Sequence, residues 1–78
     1  MASDQDIIQL IGDNIRLRRN NIGMSQQELA DNSDVAKSTI QRIEKGELNP
    51  TVVVLLKISN GLNIELTALL GNISNIEK

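Results

Sequence analysis

The stretch Ser25–Glu44, SQQELADNSDVAKSTIQRIE, constrains the fold of this 78-residue chain more than any other. Ser25 stands three residues before Glu28, the spacing at which a hydroxyl and a carboxylate reciprocally satisfy backbone N–H groups at a helix start. Leu29 and Ala30 follow on the inner side, and Ala30 is small enough for another helix to cross close by. Asn32, Ser33 and Asp34 are consecutive turn formers and end that helix. Val35, Ile40 and Ile43 then give a second helix, over about 36–44, one buried stripe. Lys37, Ser38, Gln41 and Arg42 remain on its outside; all can hydrogen-bond and none is acidic. Two short helices across a tight turn, dry within and donor-rich without, are built to present the second helix to a partner.

The flanking segments read as helices as well. Residues 1–4 are expected to be a flexible tail, and Ser3 or Asp4 can cap a helix running to about Asn21. Ile8, Ile11, Ile15 and Ile22 mark its buried face, with Leu10 and Leu17 flanking. Gly23 is expected to close it in the left-handed conformation. Beyond the central pair, Gly46 ends the second helix, and Glu47–Thr51 forms a loop because Pro50 precludes a helix through it. Val52–Val53–Val54 alone reads as a strand. Thr51 as a cap and the helical spacing of Leu55, Leu56, Ile58 and Leu62 override that reading and predict a helix to about Gly61 or Leu62. Gly61 weakens it by about 1 kcal/mol relative to alanine, and Asn63 takes the left-handed cap. A last short helix is expected over 64–70. Leu66, Leu69, Ile73 and Ile76 follow the spacing of a coiled-coil seam, interrupted by Gly71 and Asn72. This stripe is expected to close the core in part and otherwise to form a dimer interface. The domain thus spans 5–71, with 72–78 a tail or dimerisation extension.

Composition bounds the function. A chain of this length makes one domain near the lower size limit for an independent core. Without cysteine or histidine, disulfides and the usual zinc spacings are excluded, and no metal or cofactor is expected. With no aromatic residue, aliphatic side chains fill the core. No apolar run approaches the roughly 20 residues of a membrane span, and the start MASDQD lacks the basic and apolar segments of a signal peptide; a cytoplasmic protein is expected. No histidine or cysteine, glycine-rich phosphate loop or paired carboxylates point to an enzyme. The net charge of −2 counts against nucleic-acid binding, but its distribution does not. Residues 14–22 hold three arginines and no acid, and 35–43 hold Lys37 and Arg42 and no acid. Within a screening length of about 8–10 Å the local patch outweighs the total.

The segments IRLRR at 15–19, SQQELA at 25–30, STIQRIEKG at 38–46, NPT at 49–51 and LLKI at 55–58 occur in the order and at the spacing of one family. Over about Ile11 to Leu70 the chain resembles the Cro/repressor (Xre-type) helix-turn-helix transcription regulators. The resemblance implies an all-α, five-helix repressor-like domain. It implies an ion pair between Arg19 and Glu44 that fixes the first helix against the motif. Gln26 would contact a phosphate and steady a recognition-helix side chain, with Gln27 beside it. Lys37, Ser38, Gln41 and Arg42 would contact bases, and Thr39, Lys45 and Asn49 the DNA backbone. Arg18 departs from the family pattern and either snorkels into solvent or reaches the backbone. Asp34 stands where glycine is frequent, and Ala36 where Ser or Thr usually caps the recognition helix. The implied function is a sequence-specific regulator binding double-stranded DNA, as a homodimer on an inverted repeat. The alternative from another class is a protein-interaction module of the same fold, antitoxin-like or binding a protein partner, with DNA secondary. Its support is the acidic balance and the uncapped recognition helix.

Overall fold

The structure is a computed structural model and describes residues 2–71. These form five helices and no strand: α1 (Asp4–Asn21), α2 (Gln26–Ser33), α3 (Lys37–Glu44), α4 (Val52–Gly61) and α5 (Leu66–Leu69). The architecture is the all-α, five-helix repressor-like domain that the resemblance implied.

Local chemistry explains the starts of α1, α2 and α4. The Ser3 hydroxyl accepts from the Asp6 N–H and the Asp6 carboxylate accepts from the Ser3 N–H, both at 3.1 Å. This capping box draws Asp4, one residue of the expected tail, into α1. Acids at Asp4 and Asp6 and bases at Arg18 and Arg19 complement the α1 dipole at its two ends. Gly23, at φ 66°, reverses the chain, and the Met24 N–H reaches the Arg19 carbonyl at 2.9 Å. Ser25 and Glu28 form a second capping box, both bonds 3.0 Å. Hydrogen bonds from the Ser25 backbone N–H, and secondarily its hydroxyl, hold the Glu28 carboxyl below its ordinary pKa. Asp34 ends α2 in the left-handed region at φ 55°. The Thr51 hydroxyl accepts from the Val54 N–H at 3.1 Å and starts α4, so Val52–Val54 is helical. Capping and burial of the inner face outweigh the β preference of three valines.

α3, like the single-turn α5, starts without a side-chain cap: the α3 N-cap is Ala36, and no side chain among the described residues serves its first N–H groups. Ala36 already has the extended conformation an N-cap needs. Ala36→Ser should therefore stabilise the fold by about 1 kcal/mol. The urea midpoint would rise at an unchanged slope; an unmoved midpoint would count against an unserved helix start.

The core is aliphatic: Ile11 and Ile15 of α1, Leu29 and Ala30 of α2, Ile40 and Ile43 of α3, Leu55 and Ile58 of α4, then Leu62 and Leu69. α1 packs on α3, and α2 on both α3 and α4. Four sequence expectations are corrected here. Ile22 lies past the end of α1 and is 57% exposed, so it is no part of that helix's buried face; Ile7 packs against the core, while Ile8 is only half-buried. On α4, Leu56 faces solvent with Val52 and Val53, and the inner face is Leu55, Ile58 and Ser59. The last helix is a single turn, because Glu65 remains extended as its N-cap while the chain crosses from α4. Leu69 is fully buried in its own chain's core, so it offers no surface to a second subunit. Leu66 is half-buried. Ile73 and Ile76 lie outside the described residues.

Two glycines set the helix spacing. A Cβ on Gly12 would run into the Ile43 carbonyl oxygen, with the Ile43 carbonyl carbon at 3.2 Å and the Glu44 Cα at 3.3 Å. A Cβ on Gly61 would run into the Ser33 hydroxyl, with the Ser33 Cβ at 3.1 Å. Among the described residues the Ser33 hydroxyl is buried there without a hydrogen-bond partner. Polar ties reinforce α1: Asn14 Nδ2 donates to the Leu69 carbonyl at 2.7 Å and Gln5 Nε2 to the Gly46 carbonyl at 2.8 Å. Both ends of the motif's support are thus held by α1.

Candidate nucleic-acid interface

α3 buries Ile40, Ile43 and Glu44. At about 100° per residue, the side opposite those three carries Ser38 and Arg42, one turn apart, and then Lys45 at the helix end. All three are exposed, as is Lys37 in the first turn. Gln41 and Thr39 lie on the two flanks and are half-buried. The outermost ridge is therefore Ser38–Arg42–Lys45, with Gln41 set back from it. Among the described residues, Lys37, Arg42 and Lys45 form no ion pair, so their charges face outward unneutralised. The acid of α3, Glu44, points inward. Asp34, exposed just ahead of α3, leaves a negative charge near the helix start.

Glu44 is held by a planar fork. Arg19 Nε donates to Glu44 Oε2 at 2.9 Å and Nη2 to Oε1 at 3.0 Å. Arg19 Nη1 donates to the Met24 carbonyl at 2.9 Å. Bidentate pairing of this kind is directional as well as strong. The hydrogen bond to Glu44 raises the Arg19 pKa above its already high ordinary value, against the smaller opposing effect of burial. One ion pair thus joins the end of α1, the α1–α2 link and the end of α3.

The start of α2 lies beside this pair. Gln26 Nε2 donates to Glu44 Oε1 at 3.2 Å, so the α3 side chain that Gln26 engages is Glu44. The capping box and the bond from the Leu29 N–H to the Ser25 carbonyl serve the neighbouring groups. The backbone N–H groups of Gln26 and Gln27 are left without a partner among the described residues. Such a helix start favours an anion. The Gln27 side chain is exposed and donates along α2 to Asp31 at 2.9 Å. Asn49 is exposed on the α3–α4 loop and lines a shallow cavity with Asp4, Ile7, Ile8 and Ile11 at the start of α1. Arg18 is exposed. Among the described residues, no group of acidic side chains is arranged to hold a metal ion, and no helix is long and apolar enough to cross a membrane.

Sequence reasoning overlooked Gly12, Gln5 and Asn14. A signal existed only for Gly12: a glycine inside a strong helical pattern, next to the buried Ile11, commonly marks a close approach.

The fold is shared with proteins of known class. The chain is 46% identical over 61 residues to the HTH-type transcriptional regulator SlrR of Bacillus subtilis, a match covering 77% of this chain and 40% of SlrR. It is 32% identical over 65 residues to the control protein C.SmaI of Serratia marcescens, covering 83% of this chain and 77% of that protein. The crystal structure of the restriction-modification controller protein C.AhdI from Aeromonas hydrophila superposes with a TM-score of 0.78 at 32% identity, over 80% of this chain and 94% of that one. The chain thus spans about two fifths of SlrR but most of the two controller proteins. Residues 15–69, which contain the Arg19–Glu44 pair, the α2–α3 turn and the outward ridge of α3, match the helix-turn-helix (HTH_3) family model, and the chain belongs to that Xre-type family of transcriptional regulators.

Proposed function

We propose that this chain regulates transcription by placing the exposed side of α3 in the major groove of duplex DNA. One observation carries the reading: a ridge of Ser38, Arg42 and Lys45, with Lys37 at its start, is free of acid and rests on a helix seated by a buried ion pair. Arg42 sits at the centre of the ridge, and its fork suits the O6 and N7 acceptors of guanine. Lys37 can serve a guanine near the helix start, Ser38 an adjacent base, and Gln41 an adenine from the flank. The free N–H groups of Gln26 and Gln27 face a phosphate, and Thr39, Lys45 and Asn49 take further backbone positions. The protein acts by binding, in the cytoplasm, and performs no chemistry of its own. A homodimer would read two half-sites roughly 34 Å apart on an inverted repeat. Leu66, with Ile73 and Ile76, supplies the subunit interface in this reading.

Selection from a random duplex library at about 150 mM salt should enrich an inverted repeat with half-sites one helical turn apart. Arg42→Ala should then lose discrimination at one base position in each half-site, by about 1–3 kcal/mol. Selectivity equal to the parent's at every position would remove Arg42 from base readout. The second reading, a module for a protein partner, is favoured by the unserved start of α3 and the exposed carboxylates of Glu28, Asp31 and Asp34. Absence of any enriched sequence, with a specific partner recovered on immobilised protein, would favour it.

A further inference from the structure

Gln26 and Glu44 are 18 residues apart and belong to different helices, yet their side chains meet. Glu44 is buried, its side chain 4% exposed, and its two oxygens accept three N–H bonds: two from Arg19 and one from Gln26. The Gln26 amide cannot reverse, because Oε1 would then face a carboxylate oxygen across about the same distance, acceptor against acceptor. Gln26 is the first residue of α2, and its backbone N–H belongs to the pair left free there. One Nε2 proton is committed to Glu44; the second proton and Oε1 stay available on a half-buried side chain at that same helix start.

We infer that Glu44 is a positioning residue for DNA binding: by accepting from Gln26, it orients the amide that faces the DNA backbone. The ion pair therefore does more than brace α1 against α3. It sets the direction of a donor on a third element, so that the α2 phosphate seat and the α3 reading surface share one reference point. The inference rests on the proposed DNA-binding function.

The test uses the full chain and the duplex enriched by selection, with affinity followed from pH 8 to pH 5.5 at constant ionic strength. The variants are Gln26→Glu and Gln27→Glu. Each adds one carboxylate at the start of α2, but only the first faces Glu44, with Arg19 as the other charged neighbour. The carboxyl introduced at 27 has Asp31 beside it in solvent, where a like charge is well screened. It titrates near the ordinary value of about 4.3, below the window. Gln26→Glu should bind about 100-fold more weakly than the parent at pH 8, two tenfold steps of about 1.4 kcal/mol each. It should regain about tenfold by pH 5.5, because a protonated carboxyl again donates to Glu44. Gln27→Glu should stay flat across the window. Identical pH profiles for the two variants would overturn the inference while leaving DNA binding intact. A parent that selects no sequence would overturn the functional reading itself.

Should Gln26→Glu fail to fold, the side-chain NH2 of Gln26 in the unbound parent decides by NMR. Two well-separated proton shifts with low temperature sensitivity support the hydrogen bond to Glu44. A pair resembling free glutamine overturns it.

Discussion

Gly12→Ala should destabilise the protein by about 3 kcal/mol, the upper end for overpacking a close-packed site. Helix propensity alone predicts the opposite sign, because alanine in an interior helical position is favoured over glycine by about 1 kcal/mol. The structure decides between them. The added methyl would meet the Ile43 carbonyl, and behind it the backbone of Ile43 and Glu44. Backbone cannot move aside as a flexible side chain can, so α1 and α3 must separate. A domain of this size has a total stability of only about 4–12 kcal/mol, so the loss removes a large share of it. Urea unfolding followed by far-ultraviolet circular dichroism measures the change. A variant as stable as the parent, or more so, would show that α1 and α3 do not cross this closely. On the proposed function, DNA binding should suffer beyond the stability loss, since the segment displaced is the end of α3.

Removing the Arg19 fork should have a comparable effect. Arg19→Met leaves the buried Glu44 carboxylate with only the Gln26 amide, and breaking one side of a buried pair costs about 3–5 kcal/mol. The loss comes mainly from the charge left without its partner. Replacing both, Arg19→Met with Glu44→Met, should therefore be less destabilising than Arg19→Met alone, despite removing more interactions. A double variant that loses the full sum of the two single changes would mean that the pair acts through packing alone. The same double variant separates stability from function. Its fold recovers, but Gln26 loses its acceptor, and DNA affinity should remain below the parent's in a protein that is fully folded at the assay temperature.

Much of the site was legible because its signals are local. Ser25 with Glu28, Thr51 ahead of α4, and left-handed Gly23, Asp34, Gly46 and Asn63 act over a few residues through one hydrogen bond or one backbone angle. The Arg19–Glu44 pair spans 25 residues and was visible only through resemblance; no spacing rule joins those positions. The outward set on α3 followed from periodicity, but its order did not. Periodicity of the apolar residues treats Gln41 and Arg42 alike, whereas the burial of Glu44 beside Ile40 and Ile43 leaves Arg42 outermost and Gln41 half-covered.

Burial along α4 and α5 escaped sequence reading for a related reason. Leu55 and Leu56 are adjacent and equally apolar, and either could point inward. The crossing of α4 over α2, set by Gly61 against Ser33, selects Leu55. Leu69 fits a dimer seam by spacing, yet α5 is one turn long and folds back so that Leu69 fills the gap between α1 and α4.

The sequence by itself determined where α1, α2 and α4 begin, how the chain turns between helices, and that one short helix carries a donor-rich outer face. Those properties come from neighbours within about one helical turn, where the chain itself supplies the partner. Only the tertiary structure decided how closely α1 approaches α3, which leucines are core, which α3 side chains stand foremost, and that Gln26 meets Glu44. Each of these depends on groups distant in sequence being brought together at ångström-scale separations, a geometry that exists only once the helices have packed.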